Sequence, residues 1–291
     1  MDDKILAKVI EELETQLGDE YRVDMTCQTK NNGVKKTGVS ICRVGENVGA
    51  IYYISDFMNS NKSVDDIVVE IMHDYFSASS DIKLINDCDV LHDLMDFDMS
   101  RIGLFPRLIS KDKNIELLKT VPYKDFLDLA VIVAYEVKGA DGVMSVKIDQ
   151  SILKYWGVTF DDVYNIALHN MQKCDKWNVC SMQDVLLNLS GQICLNDINM
   201  YVASIEGGVN GARCLLNDAV INHLVNEFDG SFVVLPSSIH EVIILPINES
   251  SFSLSDFDDL VHTVNMSDAI HSEDVLSDHA YIYDSEKGWS W

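Results

Sequence analysis

Residues 235–246 read Leu235-Pro-Ser-Ser-Ile-His-Glu-Val-Ile-Ile-Leu-Pro246 and hold two of the chain's four prolines. The prolines bracket a serine pair, a His-Glu pair and an apolar run, a pattern that reads as strand, tight polar corner and second strand. Working outward, Ser231–Leu235 and Glu241–Leu245 are the strands of this corner, Ala219–Phe228 is a helix before it, and Leu254–Asn265 is a helix after it, capped by Ser253 or Ser255.

The N-terminal part has a similar order. Ile5, Leu6, Val9, Ile10, Leu13 and Leu17 recur at helical spacing, with Gly18 as the stop. Tyr21–Lys30 and Val34–Val44 alternate apolar and polar around Asn31-Asn32-Gly33, where Asn and Gly tolerate the positive φ of a tight turn. Ala50–Ile54 reads as a strand, and Ser63 caps a helix carrying Val64, Ile67, Val68, Ile71 and Tyr75. The common order of helix, strands and helix at 4–77 and 217–265 hints at a duplicated unit.

Between these parts, Ile102–Ile109 reads as a strand broken at Pro106. Leu127–Val137 is apolar on both faces, as in a central strand, with a turn at Gly139–Gly142 and a partner at Met144–Ile148. Helices follow at Ser151–Trp156 and Phe160–Cys174, the second capped by Thr159 with Asp162 completing the box, and another at Ser181–Leu189. Met200–Ile205 and Ala212–Leu216 read as a hairpin around Gly207-Gly208. The expected class is α+β, with antiparallel or mixed sheets flanked by helices, in two subdomains: 1–100 (helix, hairpin, strand, helix) and 101–291.

Charge bounds the function. The 47 Asp and Glu outnumber 22 Lys and Arg, for a formal net charge of −25. Such a chain repels phosphate backbones and anionic headgroups, which argues against direct nucleic-acid or membrane binding. One acidic segment runs from Glu249 to Glu286 without a Lys or Arg, and another from Asp81 to Asp98 is relieved only by Lys83. Arg101, Arg107, Lys111, Lys113, Lys119 and Lys124 follow, a basic segment expected to face one of the acidic ones. Seven cysteines without a Cys-x-x-Cys pair, together with the charged start Met-Asp-Asp-Lys, point to a reducing cytoplasm with buried thiols and no signal peptide.

No complete catalytic motif accompanies the corner. A zinc-protease helix needs a second histidine four residues after His240, where the chain has Ile244. A nucleophile elbow needs glycines two residues either side of the serine. Leu235 and Ile239 flank Ser237, and Pro236 and His240 flank Ser238. His262, His271 and His279 near Asp268, Glu273, Asp274 and Asp278 match no metal-ligand spacing. No catalytic residue, metal or cofactor is therefore assigned. The candidate binding residues are Ser237, Ser238, His240 and Glu241, with Asn265 and Asp278 to complete the group. They lead to three readings: a non-enzymatic module docking on a basic protein partner, an enzyme or small-ligand binder at the corner, and an inhibitor that mimics nucleic acid.

Several short segments also carry a family likeness. They are Asn31-Asn32-Gly33-Val34 with Gly38, Arg107–Ser110, Asn114–Leu118, Val121-Pro122, Phe126–Ala130, Trp156, Ala167 with Asn170, Gly211-Ala212, Leu235–Glu241, Val264-Asn265 and Glu273–Asp278. Together they resemble an uncharacterised bacterial domain-of-unknown-function family of gut Gram-positive anaerobes, over nearly the whole chain. The departure is Tyr201–Ile205, where the family pattern has Asn after Thr. The resemblance implies a cytoplasmic α+β protein and supplies no reaction, cofactor or catalytic residue.

Overall fold

A computed structural model describes residues 2–46, 49–58, 62–78, 90–138, 143–190, 199–247, 254–267 and 270–291. Its contacts separate two compact units, Met1–Lys30 with Val34–Met95, and Asn31–Gly33 with Asp96–Trp291.

In the first unit, β1 (Tyr21–Thr29), β2 (Lys35–Arg43) and β3 (Ala50–Tyr53) form an antiparallel sheet in that order. Leu6, Val9 and Leu13 of the helix Asp2–Leu17 share a face, as their spacing demands, and join Ile67, Val68, Ile71 and Tyr75 of the helix Val64–Ser77 in one core with Val23, Val39 and Ile41. Ser63 caps the second helix in a reciprocal box with Asp66. The β1–β2 connection turns at Asn32 and Gly33, both at positive φ (58° and 69°).

The second unit contains two antiparallel sheets. In one, β6 (Leu129–Lys138) pairs with β4 (Leu104–Ser110) on one side and with β5 (Lys124–Phe126) and β7 (Val143–Lys147) on the other. The other has six strands in the order β13-β12-β10-β11-β9-β8, comprising β8 (Trp177–Ser181), β9 (Tyr201–Ile205), β10 (Ser231–Leu235), β11 (Val242–Pro246), β12 (Tyr281–Asp284) and β13 (Gly288–Ser290). Leu129 and Val131 of β6 share a core with Phe232 and Val234 of β10, joined by Val220, Ile221 and Leu224 of the helix Asp218–Glu227. The alternate residues of each strand face the other way. Ala130 and Ile132 pack with Leu117 and Leu118, and Val233 and Leu235 pack with Val261 of the helix Leu254–Asn265. Burial on both faces explains why β6 and β10 are continuous apolar runs.

Three expectations need correction. Ala212–Leu216 is not a strand: Gly211–Leu216 is a 3-10 helix, entered through Asn210 in the left-handed region, and β9 pairs with β8 and β11. The helix expected at Ser181–Leu189 is present as Met182–Ser190, and the strand Trp177–Ser181 leads into it. β4 runs through Pro106 unbroken, because among the described residues it pairs with β6 alone and an edge strand need not donate the missing N–H. The two similar halves are not equivalent units either. β1 to β3 form a sheet of their own, whereas β10 and β11 lie inside a six-stranded one. The turn at Gly139–Gly142 lies outside the described residues, as do Asp81–Asp89, Cys88, Cys194, Glu249, Ser253 and Asp268. Among the described residues no helix is long and apolar enough to cross a membrane.

Phe232 is fully buried and stacks on Tyr283 at 5.3 Å between ring centroids. Phe232→Ala should lower unfolding free energy by about 3–5 kcal/mol in denaturant titrations, and a loss under 1 kcal/mol would remove this face from the core.

Candidate functional site

The corner is a third line of pairing at the end of the large sheet. Backbone N–H groups of Leu276 and Ser277 donate to the carbonyls of Ser237 and Pro236 at 3.2 and 3.0 Å, and Ile239 N–H donates to Asp274 O at 2.8 Å. Ser238 makes an isolated antiparallel bridge with Val275. The segment 272–275 is held in turn by the asparagine turn. Asn31 Nδ2 donates to Glu273 O at 2.7 Å, and Asn32 Nδ2 donates to Ser272 O and Val275 O at 2.9 and 2.7 Å. Asn114 pairs with Asn32 through two bonds of 2.9 Å.

Each candidate residue now has a place. Ser237 and Ser238 are buried, and Ser238 Oγ accepts the His240 N–H at 3.0 Å, which tightens the bend. His240 Nδ1 accepts the Asn210 N–H at 3.2 Å, and its Nε2 lies 3.3 Å from Asp274 Oδ1. The Asn210 donor needs a lone pair on Nδ1, so the neutral ring carries its proton on Nε2, on the side that faces Asp274. The Nδ1 lone pair is not free to act as a base while the Asn210 bond stands. Glu241, by contrast, is exposed. Asn265 Nδ2 donates to Ser277 O at 2.7 Å and to Asp278 Oδ1 at 2.8 Å, and Asp278 Oδ2 lies 3.1 Å from Lys113 Nζ. Thus Ser238 and His240 are brought together, Asn265 and Asp278 form a second pair, and Glu241 stands apart from these bonds.

The most buried polar cluster contains none of the six. Arg213 is 1% exposed and grips Asp175 with two bonds, Nε to Oδ2 at 2.7 Å and Nη2 to Oδ1 at 2.9 Å. Its Nη1 reaches Glu136 Oε2 at 2.8 Å, and its flat face lies 4.7 Å from the Phe105 ring centre. Arg107 Nη2 takes Glu136 Oε1 at 3.2 Å, and Asn210 Nδ2 approaches the same oxygen at 3.4 Å. Burial lowers the pKa of the Arg107 guanidinium, with Glu136 opposing it. Burial also pulls Arg213 down, but Asp175 and Glu136 outweigh that and raise it. Asn210 joins the cluster to the corner, since its backbone holds His240 while its side chain approaches Glu136. A signal for these residues was present in the sequence: Glu136 and Arg213 are solitary charges inside apolar runs, a position that calls for a buried partner.

A second buried contact ties the two sheets. Tyr281 donates its hydroxyl to Asp128 Oδ1, and Ser277 Oγ donates to Asp128 Oδ2 at 2.7 Å. Burial and the Asp128 charge push the Tyr281 phenol well above its ordinary pKa. Neither Cys214 nor Cys180 is activated. Burial raises Cys214 to about 12, and burial with the Asp184 and Glu241 charges raises Cys180. Among the described residues, no group of three or more His, Cys, Asp or Glu could hold a metal ion.

An antiparallel α+β protein with its polar corner bound into its own hydrogen-bond network is the class this geometry defines. The chain belongs to a family of unknown function, DUF5688, whose profile matches residues 3–285. No curated protein and no solved structure matches it.

Burial would raise the Asp278 carboxyl, but Asn265 and Lys113 outweigh it and hold the pKa below the ordinary value. Its stabilisation is therefore complete above the unfolded pKa of about 3.9 and is lost as pH falls through the folded value. Lys113→Met should move the Asp278 titration upward and cost no more than about 1 kcal/mol at neutral pH. The two proteins should converge in stability as acid protonates Asp278. Carboxyl NMR titration with denaturation at both pH values checks this, and an unmoved titration would refute the pairing.

Proposed function

We propose that this protein is a non-enzymatic interaction module of the bacterial cytoplasm that docks on a basic protein partner. The observation that carries this reading is the fate of the basic segment. Arg101 pairs with Asp98, Arg107 with Glu136, Lys111 with Asp125, Lys113 with Asp278, Lys119 with Glu116 and Lys124 with Asp161. Arg107–Glu136 is buried, and the other five are surface pairs that add little stability, but together the six neutralise the densest positive stretch of the chain from within. Of these six pairs, the one made by Lys113 reaches the acidic tail.

Carboxylates in surplus over these pairs are exposed on both units, among them Glu11, Glu14 and Asp65 in the first and Asp218, Glu227 and Asp259 in the second. The field left over is negative, which attracts and orients a cationic surface. The acidic tail itself contributes less than its composition suggests. Asp258 accepts the Ala280 N–H, Asp284 accepts the N–H groups of Glu286 and Lys287, and Asp278 is held by Lys113 and Asn265. The corner supports docking over catalysis, because the Nδ1 lone pair of His240 accepts the Asn210 N–H and its Nε2 stands against Asp274.

Tagged protein should capture a basic partner from lysate at about 50 mM salt and release it at about 500 mM, where the screening length falls from over 10 Å to a few ångströms. Capture of nothing, or of a partner indifferent to salt, would overturn the reading. A captured DNA-binding protein would narrow it to nucleic-acid mimicry.

A further inference from the structure

In the second unit a cleft of about 460 Å³ opens between the helix Phe160–Cys174 and the short turns of Phe97–Gly103, with Arg101, Ile102, Ile166 and His169 in its lining. Its walls are fastened together. Asn170 Nδ2, on the helix, donates to Arg101 O at 2.7 Å and to Leu104 O at 2.9 Å. The size falls in the range of small-molecule sites, about 300–1,000 Å³.

The chemistry of the lining is mixed in a specific way. Ile102 is 79% exposed, an apolar side chain left in water beside Ile166. Arg101 is steadied by Asp98, whose Oδ1 lies 3.4 Å from Nη1, and by the Phe97 ring at 5.9 Å. A guanidinium has five N–H donors, and a single bond at the long end of the range does not saturate it. Asn165 and His169, also on the cleft, are exposed and add further donors. Asp98 sits on the same cleft and disfavours a second negative charge.

We infer that this cleft binds a small amphipathic monoanion, a single carboxylate on a short apolar chain. Its carboxylate meets Arg101, with Asn165 and His169 beside it, and its chain covers Ile102 and Ile166. The inference stands apart from the docking reading, which concerns exposed carboxylates and not this cleft.

Two-dimensional amide NMR of the full chain, titrated with octanoate, octylammonium and the dicarboxylate suberate, tests it. Octanoate should give saturable shifts at Arg101, Ile102, Ile166 and His169 with a Kd of about 1 mM or tighter, and the other two probes should bind at least about tenfold more weakly. Arg101→Met should weaken octanoate by about tenfold or more, the worth of one charged hydrogen bond. His169→Glu should weaken it as well, through an exposed position that the fold does not need. No saturable shift up to about 20 mM, equal binding of octylammonium or suberate, or full octanoate affinity in both variants would overturn the inference.

Discussion

The ion cluster around Arg213 is the constraint on which the second unit depends. It gathers side chains from four places: Arg107 on β4, Glu136 on β6, Asp175 just after the helix Phe160–Cys174, and Arg213 on the 3-10 segment. Two cations and two anions are buried together, so the cluster is neutral as a set, and the loss of any one member leaves it charged. Removing one member of such a group strands a charge in a low-dielectric interior, which typically costs about 3–5 kcal/mol. Arginine suits the position where lysine would not, because its planar fork meets Asp175 with two parallel bonds and still reaches Glu136, while its face covers Phe105. Among the described residues Arg107 Nε is buried without a hydrogen-bond partner, which marks the cluster as costly to assemble.

From that cluster the corner follows. Asn210, held near Glu136, presents its N–H to His240, and Gly211 next to it admits no side chain: an added Cβ would lie 2.1 Å from Ser204 Oγ and 2.3 Å from His240 O. Ser204 Oγ in turn donates to that same carbonyl at 2.8 Å. The family-like Gly211-Ala212 and Pro-Ser-Ser-Ile-His-Glu segments are thus two sides of one contact, with Ala212 N–H donating to Ile239 O at 3.1 Å. The Asn31-Asn32 turn, the Glu273–Asp278 segment and Asn114 close the opposite side. Several stretches that carry the family likeness are therefore joined by side-chain to backbone bonds, which fix a particular chain path and need no substrate to explain them.

Much of this fold is legible in the sequence, and the failures have identifiable causes. Helices with a clean apolar stripe and a cap, such as Val64–Ser77 and Phe160–Cys174, follow from spacing alone, because local capping and the core face agree. β6 and β10 are legible because burial on both faces removes polar residues. Residues 211–216 mislead because Gly-Ala-Arg-Cys-Leu-Leu is apolar enough for a strand, and its conformation is set by long-range bonds to Asp175, Glu136 and Ile239. The corner is visible as a bend, but its chemistry is not. That His240 meets Asn210 and Asp274 depends on segments 30 residues before it and 34 after it. A buried ion cluster is still harder to see, since its members are scattered from 107 to 213 and only their solitary place in apolar runs marks them.

Net charge and internal pairing together describe a protein that spends its densest basic segment and its buried polar groups on its own architecture. The claim beneath that description is that Arg213 and Asp175 act as one structural unit. A double-mutant cycle with Arg213→Met, Asp175→Leu and the double variant, followed by chemical denaturation, measures it most directly. The account predicts a coupling of about 2 kcal/mol or more, with the double variant less damaged than the sum of the singles. Additive losses within about 0.5 kcal/mol would contradict it.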